Sequence, residues 1–413
     1  MRKKPLEQPL PKIKNEPSET TLKFLACGKG DTILIRCGAH WGLVDCNLEE
    51  ETKRRLKRCI VDHEISKLKF VVVTHFDQDH VKGLAAFLAE EFGPRDGGDW
   101  RVEQLVLPIP VQHAADEDTF KVFKYFERVR KAMGDPDAST EPEDEIAVAL
   151  GTKAFCKDAI ELLDLAMVFK NLPPISGTPR LAYRQPINAL DPKLHADVDM
   201  FFLAPSDAET DRFLDFIRSF AQVAHTPFAD HVTKEQMAAH LNEIRQRRPF
   251  ATPNWNKISI ALGLYNWQHS KAVLLAGDVT REGYANALKN WSRVFEHTKI
   301  AVPEFDVIKA SHHGSDRDHE PSVFQQVNSE KYVVISASAK YTKGSKHPGP
   351  ETVKDLEEKN WTILHTELGI QNRKGLMQRL KRPKGVSGGL IHPKGGVGVT
   401  LSENSIQPFE FGR

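Results

Sequence analysis

The sequence lacks any apolar run that approaches the ~18 residues needed to cross a lipid bilayer, so we expect no membrane partner. Its basic, proline-rich N-terminus has no hydrophobic segment after it and is not a signal peptide. We interpret residues 1–20 as a disordered leader. The five cysteines are odd in number and contain no CxxC pair, which indicates reduced thiols rather than a disulfide framework. These absences predict a cytoplasmic protein.

The chain also lacks an excess of charge of either sign. Its 57 basic and 56 acidic residues give a formal net charge of +1. The field of the whole molecule therefore favours no polyanionic partner, and a nucleic-acid site would have to come from a local basic patch. At 413 residues, the chain is long enough for two average domains or for one large domain with insertions.

Strand-like and helical segments alternate along much of the chain, which predicts an α/β fold. Residues 21–113 and 197–413 contain this alternation, and we assign them to one catalytic domain. Residues 114–196 are mostly helical, polar and interrupted by prolines, so we interpret them as an insertion or cap. A second helical excursion is expected at about 206–248.

The stretch "FVVVTHFDQDH" ends a buried strand in a dense group of four metal-ligand types, which are His75, Asp77, Asp79 and His80. Two carboxylates this close repel each other, and burying them unpaired costs several kcal/mol. A bound cation would remove that cost, and imidazole together with carboxylate suits zinc, manganese or iron. Alternate residues of an extended loop point to one side while His80 turns away, so one loop can supply two ions.

Two later strands end in similar residues. "VLLAGD" ends at Asp278, and "VIKASHHGSD" supplies His312 and His313. Alone, Asp278 fits an ordinary helix N-cap, and the histidine pair fits either a ligand or a polar loop. Together with the first cluster, these residues become candidate ligands.

The three motifs in this order resemble the metallo-β-lactamase superfamily, and within it the ComEC-type domain of competence DNA uptake. Further segments are similar to that branch over about residues 21–113 and 197–372. They contain Gly28, Gly30, Asp31 and Asp45 near the start, Asn256 and Ser259 in the middle, and His347 late in the chain. The resemblance implies a metallo-β-lactamase αββα sandwich with helical insertions.

The resemblance also implies a hydrolase that uses a metal-activated water and two divalent ions. The implied metal ligands are His75, Asp77, Asp79, His80, Asp278 and His312, and the implied catalytic residues are Asp79, Asp278, Lys309 and His313. Matching "SHH" to the superfamily's Ser-His favours His312 as the ligand and leaves His313 to face the substrate. The histidine that most members place just before Asn256 is missing, which raises manganese or magnesium relative to zinc.

Lys309 is unusual in an otherwise apolar strand. The resemblance allows it, like His313, to stabilise charge on the reacting phosphorus or on the leaving oxygen. A lysine that extends to solvent from an edge strand is the alternative.

The resemblance and a basic C-terminal run together favour nucleic acid as the substrate. Candidate substrate-binding residues are Ser315, Asn256, His347, Arg379, Lys381 and Arg382. Such a run could contact phosphates, although most charge runs are solvated faces. We therefore predict a soluble nuclease or phosphodiesterase that cleaves DNA or RNA, with a defence effector as the extrapolated role. The alternatives are a hydrolase of small thioesters, lactones or phosphoesters, and a scaffold or sensor with a vestigial site. No protein partner can be read from the sequence.

Overall fold

The protein is described by a computed structural model. The described residues are 19–108 (without 29 and 96–98), 197–213, 215, 239, 255–371 (without 297, 326–329 and 339–346), 376 and 396–411 (without 403–404). Several predictions lie outside them: nearly all of the leader, the insertion at 114–196, most of the excursion at 206–248, and the basic residues Arg379, Lys381 and Arg382.

Seven strands in the described part of the chain form a first mixed sheet. In chain order they are β1 (Thr20–Leu25), β2 (Thr32–Cys37), β3 (His40–Cys46), β4 (Phe70–Val72), β5 (Leu105–Val106), β13 (Gly396–Leu401) and β14 (Ile406–Phe411). Their spatial order is β14-β13-β1-β2-β3-β4-β5. β3, β4 and β5 are parallel to one another, while the other neighbours are antiparallel. β1 begins at Thr20, the last residue assigned to the leader.

Seven further strands of the described chain form a second mixed sheet. They are β6 (Val198–Ala204), β7 (Ala261–Asn266), β8 (Lys271–Leu275), β9 (Val307–Lys309), β10 (Tyr332–Ile335), β11 (Thr362–His365) and β12 (Gly369–Gln371). The spatial order is β12-β11-β10-β9-β8-β7-β6. The four strands β8 to β11 are parallel.

A continuous apolar core joins the two sheets. Alternate residues of the first sheet, such as Leu22 and Phe24, belong to the same buried cluster as Leu262, Leu264 and Val273 of the second sheet. Because side chains alternate between the faces of a strand, the remaining residues of each strand point away from this core. Burial of apolar surface at about 25 cal/mol per Å² is the main force that holds the sheets together.

Helices cover the outward face of the second sheet. The helices with both ends described are α1 (Glu50–Asp62), α2 (Gln78–Val81), α3 (Leu84–Phe92), α4 (Arg281–Phe295) and α5 (Pro350–Glu358), and residues 207–213 are also helical. α4 and α5 bury Tyr284, Trp291 and Leu356 in a second cluster with residues of β6 to β11. α1 contacts β1 of the first sheet. The predicted α/β class is confirmed, and no helix in the described part of the chain is long and apolar enough to cross a bilayer.

The carboxyl ends of β3, β4, β8 and β9 meet at one end of the core. Asp45 lies at the end of β3, and the loop from His75 to His80 follows β4. Asp278 follows β8, and His313 follows β9. Open α/β sheets bind ligands at the carboxyl ends of parallel strands, so this topology brings the polar residues of four loops together.

Candidate metal centre

Histidine and carboxylate side chains from these loops form a compact buried group. Three sets in the described chain have ligand atoms within 4.8 Å of one another: His75, His80 and Asp278; Asp79, His80 and His313; and Asp31, Asp45 and His80. Five predicted site residues from three separate segments are thereby brought together. The rings of His75 and His80 lie 4.0 Å apart, centroid to centroid.

Each of these two histidines uses one ring nitrogen for the protein and leaves the other available. His80 Nδ1 is 2.7 Å from Asp45 Oδ2, and His75 Nδ1 is 3.1 Å from Thr74 Oγ1. Both Nε2 atoms are buried and have no hydrogen-bond partner among the described residues. They face the Asp278 carboxylate at 3.4 Å from His80 and 3.9 Å from His75. A neutral imidazole whose Nδ1 is hydrogen-bonded presents an Nε2 lone pair to a cation.

Asp45 fixes this arrangement from behind. Its Oδ1 accepts a hydrogen bond from the Thr74 amide at 2.6 Å, and its Oδ2 accepts one from the Thr74 hydroxyl at 2.6 Å. The same Oδ2 accepts from His80 Nδ1, so Nδ1 keeps its proton and Nε2 is the nitrogen that loses a proton when the ring becomes neutral. Asp45 is fully buried and has a φ of 54°. An aspartate tolerates this left-handed backbone better than most residues.

Asp278 is the shared acceptor of the group. Its Oδ1 faces His80, and its Oδ2 lies 3.5 Å from His313 Nε2. Its backbone amide donates to Ser259 Oγ at 2.9 Å, which fixes the start of the loop after β8. The N-cap of α4 is Thr280, whose side chain accepts from the Gly283 amide. The alternative interpretation of Asp278 as a helix cap is therefore wrong.

His313 and His312 face different partners. His313 Nε2 is 3.2 Å from Asp79 Oδ2 in addition to its contact with Asp278. His312 Nδ1 instead lies 2.6 Å from Asp318 Oδ2 and 3.3 Å from Asn256 Nδ2. The geometry favours the reverse of the sequence-based assignment, with His313 in the ligand group and His312 beside it.

The loop that carries the two histidines has an unusual backbone conformation. His312 and His313 both have left-handed φ values, 47° and 56°. Residues other than glycine rarely adopt this backbone conformation twice in succession, and each instance costs on the order of 1–3 kcal/mol. A hydrogen bond from the Gly349 amide to the Gly314 carbonyl at 2.8 Å and one from the Thr352 amide to Asp316 at 2.7 Å tie the loop to the start of α5.

Lys309 lies beneath the group and is fully buried. β9 is an inner strand between β8 and β10, so the alternative of a lysine reaching solvent from an edge strand is wrong. Its ammonium lies 2.5 Å from Asp31 Oδ2 and 3.4 Å from Asp278 Oδ1. It also donates to the Gly277 carbonyl at 2.8 Å.

The remaining predicted residues lie around this group. Asp77 is the N-cap residue of α2 and lies 3.6 Å from His75 Nε2, with 37% of its side chain exposed. The Asp79 side chain is 33% exposed, so these two carboxylates form the solvent-facing part of the group. The His347 ring lies 5.1 Å from that of His312. Ser315 is buried at the end of the same loop, and its amide donates to the His312 carbonyl.

Three buried residues that the resemblance named were given no role as ligands or catalytic residues. Asp31 and Asp45 both contact His80, and Ser259 positions Asp278. Asp31 and Asp45 stand at the beginning and the end of neighbouring strands, where a buried carboxylate needs a partner. That strand-end position was the available signal for both. Nothing local to Ser259 indicates its contact.

The electrostatics keep the carboxylates ionised. Burial opposes a charge on Asp278, but His313, His80 and Lys309 hold its pKa well below the usual value. Burial likewise opposes a charge on Asp79, yet the hydrogen bond from His313 and the charge of His80 lower its pKa. Burial disfavours the imidazolium of His80, but Asp278 and Asp45 outweigh it and raise the pKa. The group thus offers anionic oxygens that attract cations.

Comparison with known proteins gives no family for this chain. No family model matches it, and no curated protein matches it. The donor set itself is suited to divalent cations, because two buried imidazole nitrogens with no hydrogen-bond partner among the residues that the structure describes face one ionised carboxylate.

Proposed function

We propose that this chain is a metal-dependent hydrolase of the metallo-β-lactamase fold, and that it cleaves phosphodiester bonds in nucleic acid. Two facing mixed sheets, with helices on the outer face of the second sheet and α1 against the first, support the fold. The position of the candidate centre at the carboxyl ends of parallel strands supports a site there.

One observation carries the metal assignment. The Nε2 atoms of His75 and His80 are buried, have no hydrogen-bond partner among the described residues, and face the same carboxylate. Each unsatisfied buried polar atom costs about 1–3 kcal/mol. Because two such nitrogens face the Asp278 carboxylate, we infer that a cation binds between the nitrogens and the carboxylate. A metal would remove this cost for both histidines.

Two groups of side chains would hold two divalent ions. His75, Asp77 and Asp278 form one group, while Asp79, His80 and His313 form the other. Asp278 lies within 3.5 Å of both His80 and His313 and would be common to both groups. Divalent ions bound there would act as Lewis acids and lower the pKa of water.

The protein's own residues have three tasks in this proposal. Asp45 holds the proton on His80 Nδ1 and so keeps Nε2 available. Ser259 and Lys309 hold the loop that carries Asp278. Asp77 and Asp79, which are partly exposed, define the side from which a substrate reaches the group.

The substrate class is supported by the donor chemistry and by the motifs. Asp77, Asp79 and Asp278 make the group rich in oxygen, which suits manganese or magnesium, and magnesium sites commonly combine carboxylates with substrate phosphates. The resemblance of the three motifs to the ComEC-type branch, which is associated with DNA degradation, favours a nuclease over a small-molecule hydrolase.

The experiment uses the purified full chain with single- and double-stranded DNA and RNA, in manganese, magnesium or zinc after removal of bound metal. Asp278→Asn is the test variant. Asp306→Asn is the control for the same substitution away from the candidate centre, because Asp306 is a partly buried aspartate at the opposite end of β9 that accepts the Ala272 amide. We expect cleavage that requires added metal, is lost in Asp278→Asn and persists in Asp306→Asn. Metal binding without cleavage of any nucleic acid would favour a small-molecule substrate, and no metal binding would contradict the proposal.

A further inference from the structure

Lys309 occupies a position in which a positive charge is surrounded by acidic groups of both sheets. Its ammonium lies 2.5 Å from Asp31 Oδ2 and 3.4 Å from Asp278 Oδ1. Asp31 immediately precedes β2 of the first sheet, whereas Lys309 ends β9 of the second. The ion pair therefore joins the two sheets directly beneath the candidate centre.

The surroundings of Lys309 contain more negative than positive protein charge. Asp31 Oδ2 also lies 3.8 Å from His80 Nδ1, and Asp45 Oδ2 lies 2.7 Å from the same nitrogen. Asp31, Asp45 and His80 thus form a third group with ligand atoms in metal-binding range. Lys309 is fully buried, so water does not screen these charges and its ammonium contributes strongly to their balance.

The alternation of side chains between the two faces of β9 places Lys309 at this position. Val307 belongs to the core between the sheets, and Ile308 belongs to the cluster under the helices. Lys309 therefore points to the same side as Val307, toward the first sheet. Burying an ammonium without partners costs several kcal/mol, and the Gly277 carbonyl together with the two carboxylates offsets this cost.

We propose that Lys309 is a positioning residue that acts as a built-in cation: it neutralises Asp31, holds Asp278 in place before any metal binds, and keeps the deep Asp31, Asp45 and His80 group free of divalent ions. It has no exposed surface from which to touch a substrate. This assignment replaces the catalytic role that the resemblance implied for Lys309. The part concerning divalent ions rests on the proposed function.

The test compares three variants of the full chain by thermal unfolding, with metal removed and with saturating manganese. Lys309→Met keeps the length of the side chain and removes its charge. The double variant Asp31→Asn, Lys309→Met removes one charge of each sign, so the net charge of the group is unchanged. Lys331→Met is the matched control, because Lys331 is a buried lysine that pairs with the exposed Glu304.

We expect metal-free Lys309→Met to unfold about 5–10 °C below the wild type, because breaking a buried ion pair leaves an uncompensated charge. Manganese should raise the unfolding temperature of Lys309→Met by more than it raises that of the wild type, since the ion supplies the missing positive charge. The double variant should regain much of the metal-free stability, and Lys331→Met should show no change in its response to manganese.

Two results would overturn the inference. One is a metal-free Lys309→Met variant as stable as the wild type. The other is a double variant no more stable than Lys309→Met, or equally unable to fold, because the loss would then not arise from charge imbalance. Manganese binding to the wild type, followed by equilibrium dialysis, tests the proposed function separately. If the wild type binds no ion, that function fails, while the metal-free comparison still decides the role of Lys309.

Discussion

Asp45 Oδ2 and His80 Nδ1 lie 2.7 Å apart, although Asp45 lies near the end of β3 and His80 lies in α2, after β4. Both side chains are fully buried, so water does not weaken their interaction. An ionised carboxylate can only accept, so His80 donates from Nδ1, and a cation that binds Nε2 would displace the proton of that nitrogen. Asp45 thereby leaves Nε2 as the nitrogen of His80 that faces Asp278 and can bind a cation.

Asp45→Asn should weaken metal binding without removing any ligand. The amide Nδ2 of asparagine would donate to His80 Nδ1, so the ring proton would move to Nε2, which then could not bind a cation. We expect manganese affinity to fall by about 10–100-fold, the range typical for such supporting residues. Calorimetric titration measures this. Asp306→Asn serves as the control, and an unchanged affinity in Asp45→Asn would contradict this role.

The choice between the two adjacent histidines can be tested with one substitution at each. His313→Asn removes a side chain that lies near both Asp79 and Asp278, whereas His312→Asn removes one that pairs with Asp318. Asparagine is used because it tolerates the left-handed backbone at these positions. We expect His313→Asn to bind fewer manganese ions and His312→Asn to bind the wild-type number, as measured by elemental analysis after dialysis. The opposite outcome would restore the assignment made from the sequence.

The sequence was sufficient to predict the candidate ligands that follow β4 and β8. In both places an apolar run ends abruptly in acidic or imidazole side chains, and this pattern is local. The alternation of strand-like and helical segments likewise predicted the α/β class that the two mixed sheets and their helices show. Such features depend on neighbours in the chain, so a single sequence contains them.

Contacts between distant segments could not be predicted in the same way. The Lys309–Asp31 pair depends on how the two sheets pack against each other, and the Ser259–Asp278 hydrogen bond depends on the register of β7 and β8. The choice of His313 over His312 depends on two left-handed φ values in a loop that hydrogen bonds attach to the start of α5. Side-chain types alone do not specify a backbone of this kind.

Gly30 and Gly28 offer a matched pair for testing how tightly the loops are packed. Both have positive φ values, so alanine at either position costs on the order of 1–2 kcal/mol in backbone strain. A Cβ at Gly30 would lie 2.1 Å from the Asp79 carbonyl oxygen, while one at Gly28 would approach nothing closer than Glu367 at 3.9 Å. We expect Gly30→Ala to displace Asp79 and to reduce manganese affinity, and Gly28→Ala to show only the backbone cost in urea unfolding. Equal effects of the two substitutions would mean that the Gly30 contact does not position Asp79.

His365 gives the protein a specific sensitivity to acid. It is fully buried at the end of β11, and burial lowers the pKa of its imidazole to about 3, against an ordinary value near 6.5. Its Nδ1 accepts from the amides of Glu367 and Leu368, which a neutral ring can do and a protonated Nδ1 cannot. The unfolded chain therefore binds a proton at pH values where the folded protein does not.

The sign of the effect follows from this difference. Above about pH 6.5 the ring is neutral in both states and costs nothing; as the pH falls toward 3, the unfolded state gains a proton and stability declines by about 1.4 kcal/mol per pH unit. His365→Asn keeps an acceptor for the two amides but cannot be protonated. We expect the variant to lose less stability than the wild type between pH 6.5 and pH 4.5, as measured by urea unfolding at each pH. Parallel pH profiles for the two proteins would show that His365 is not the group responsible.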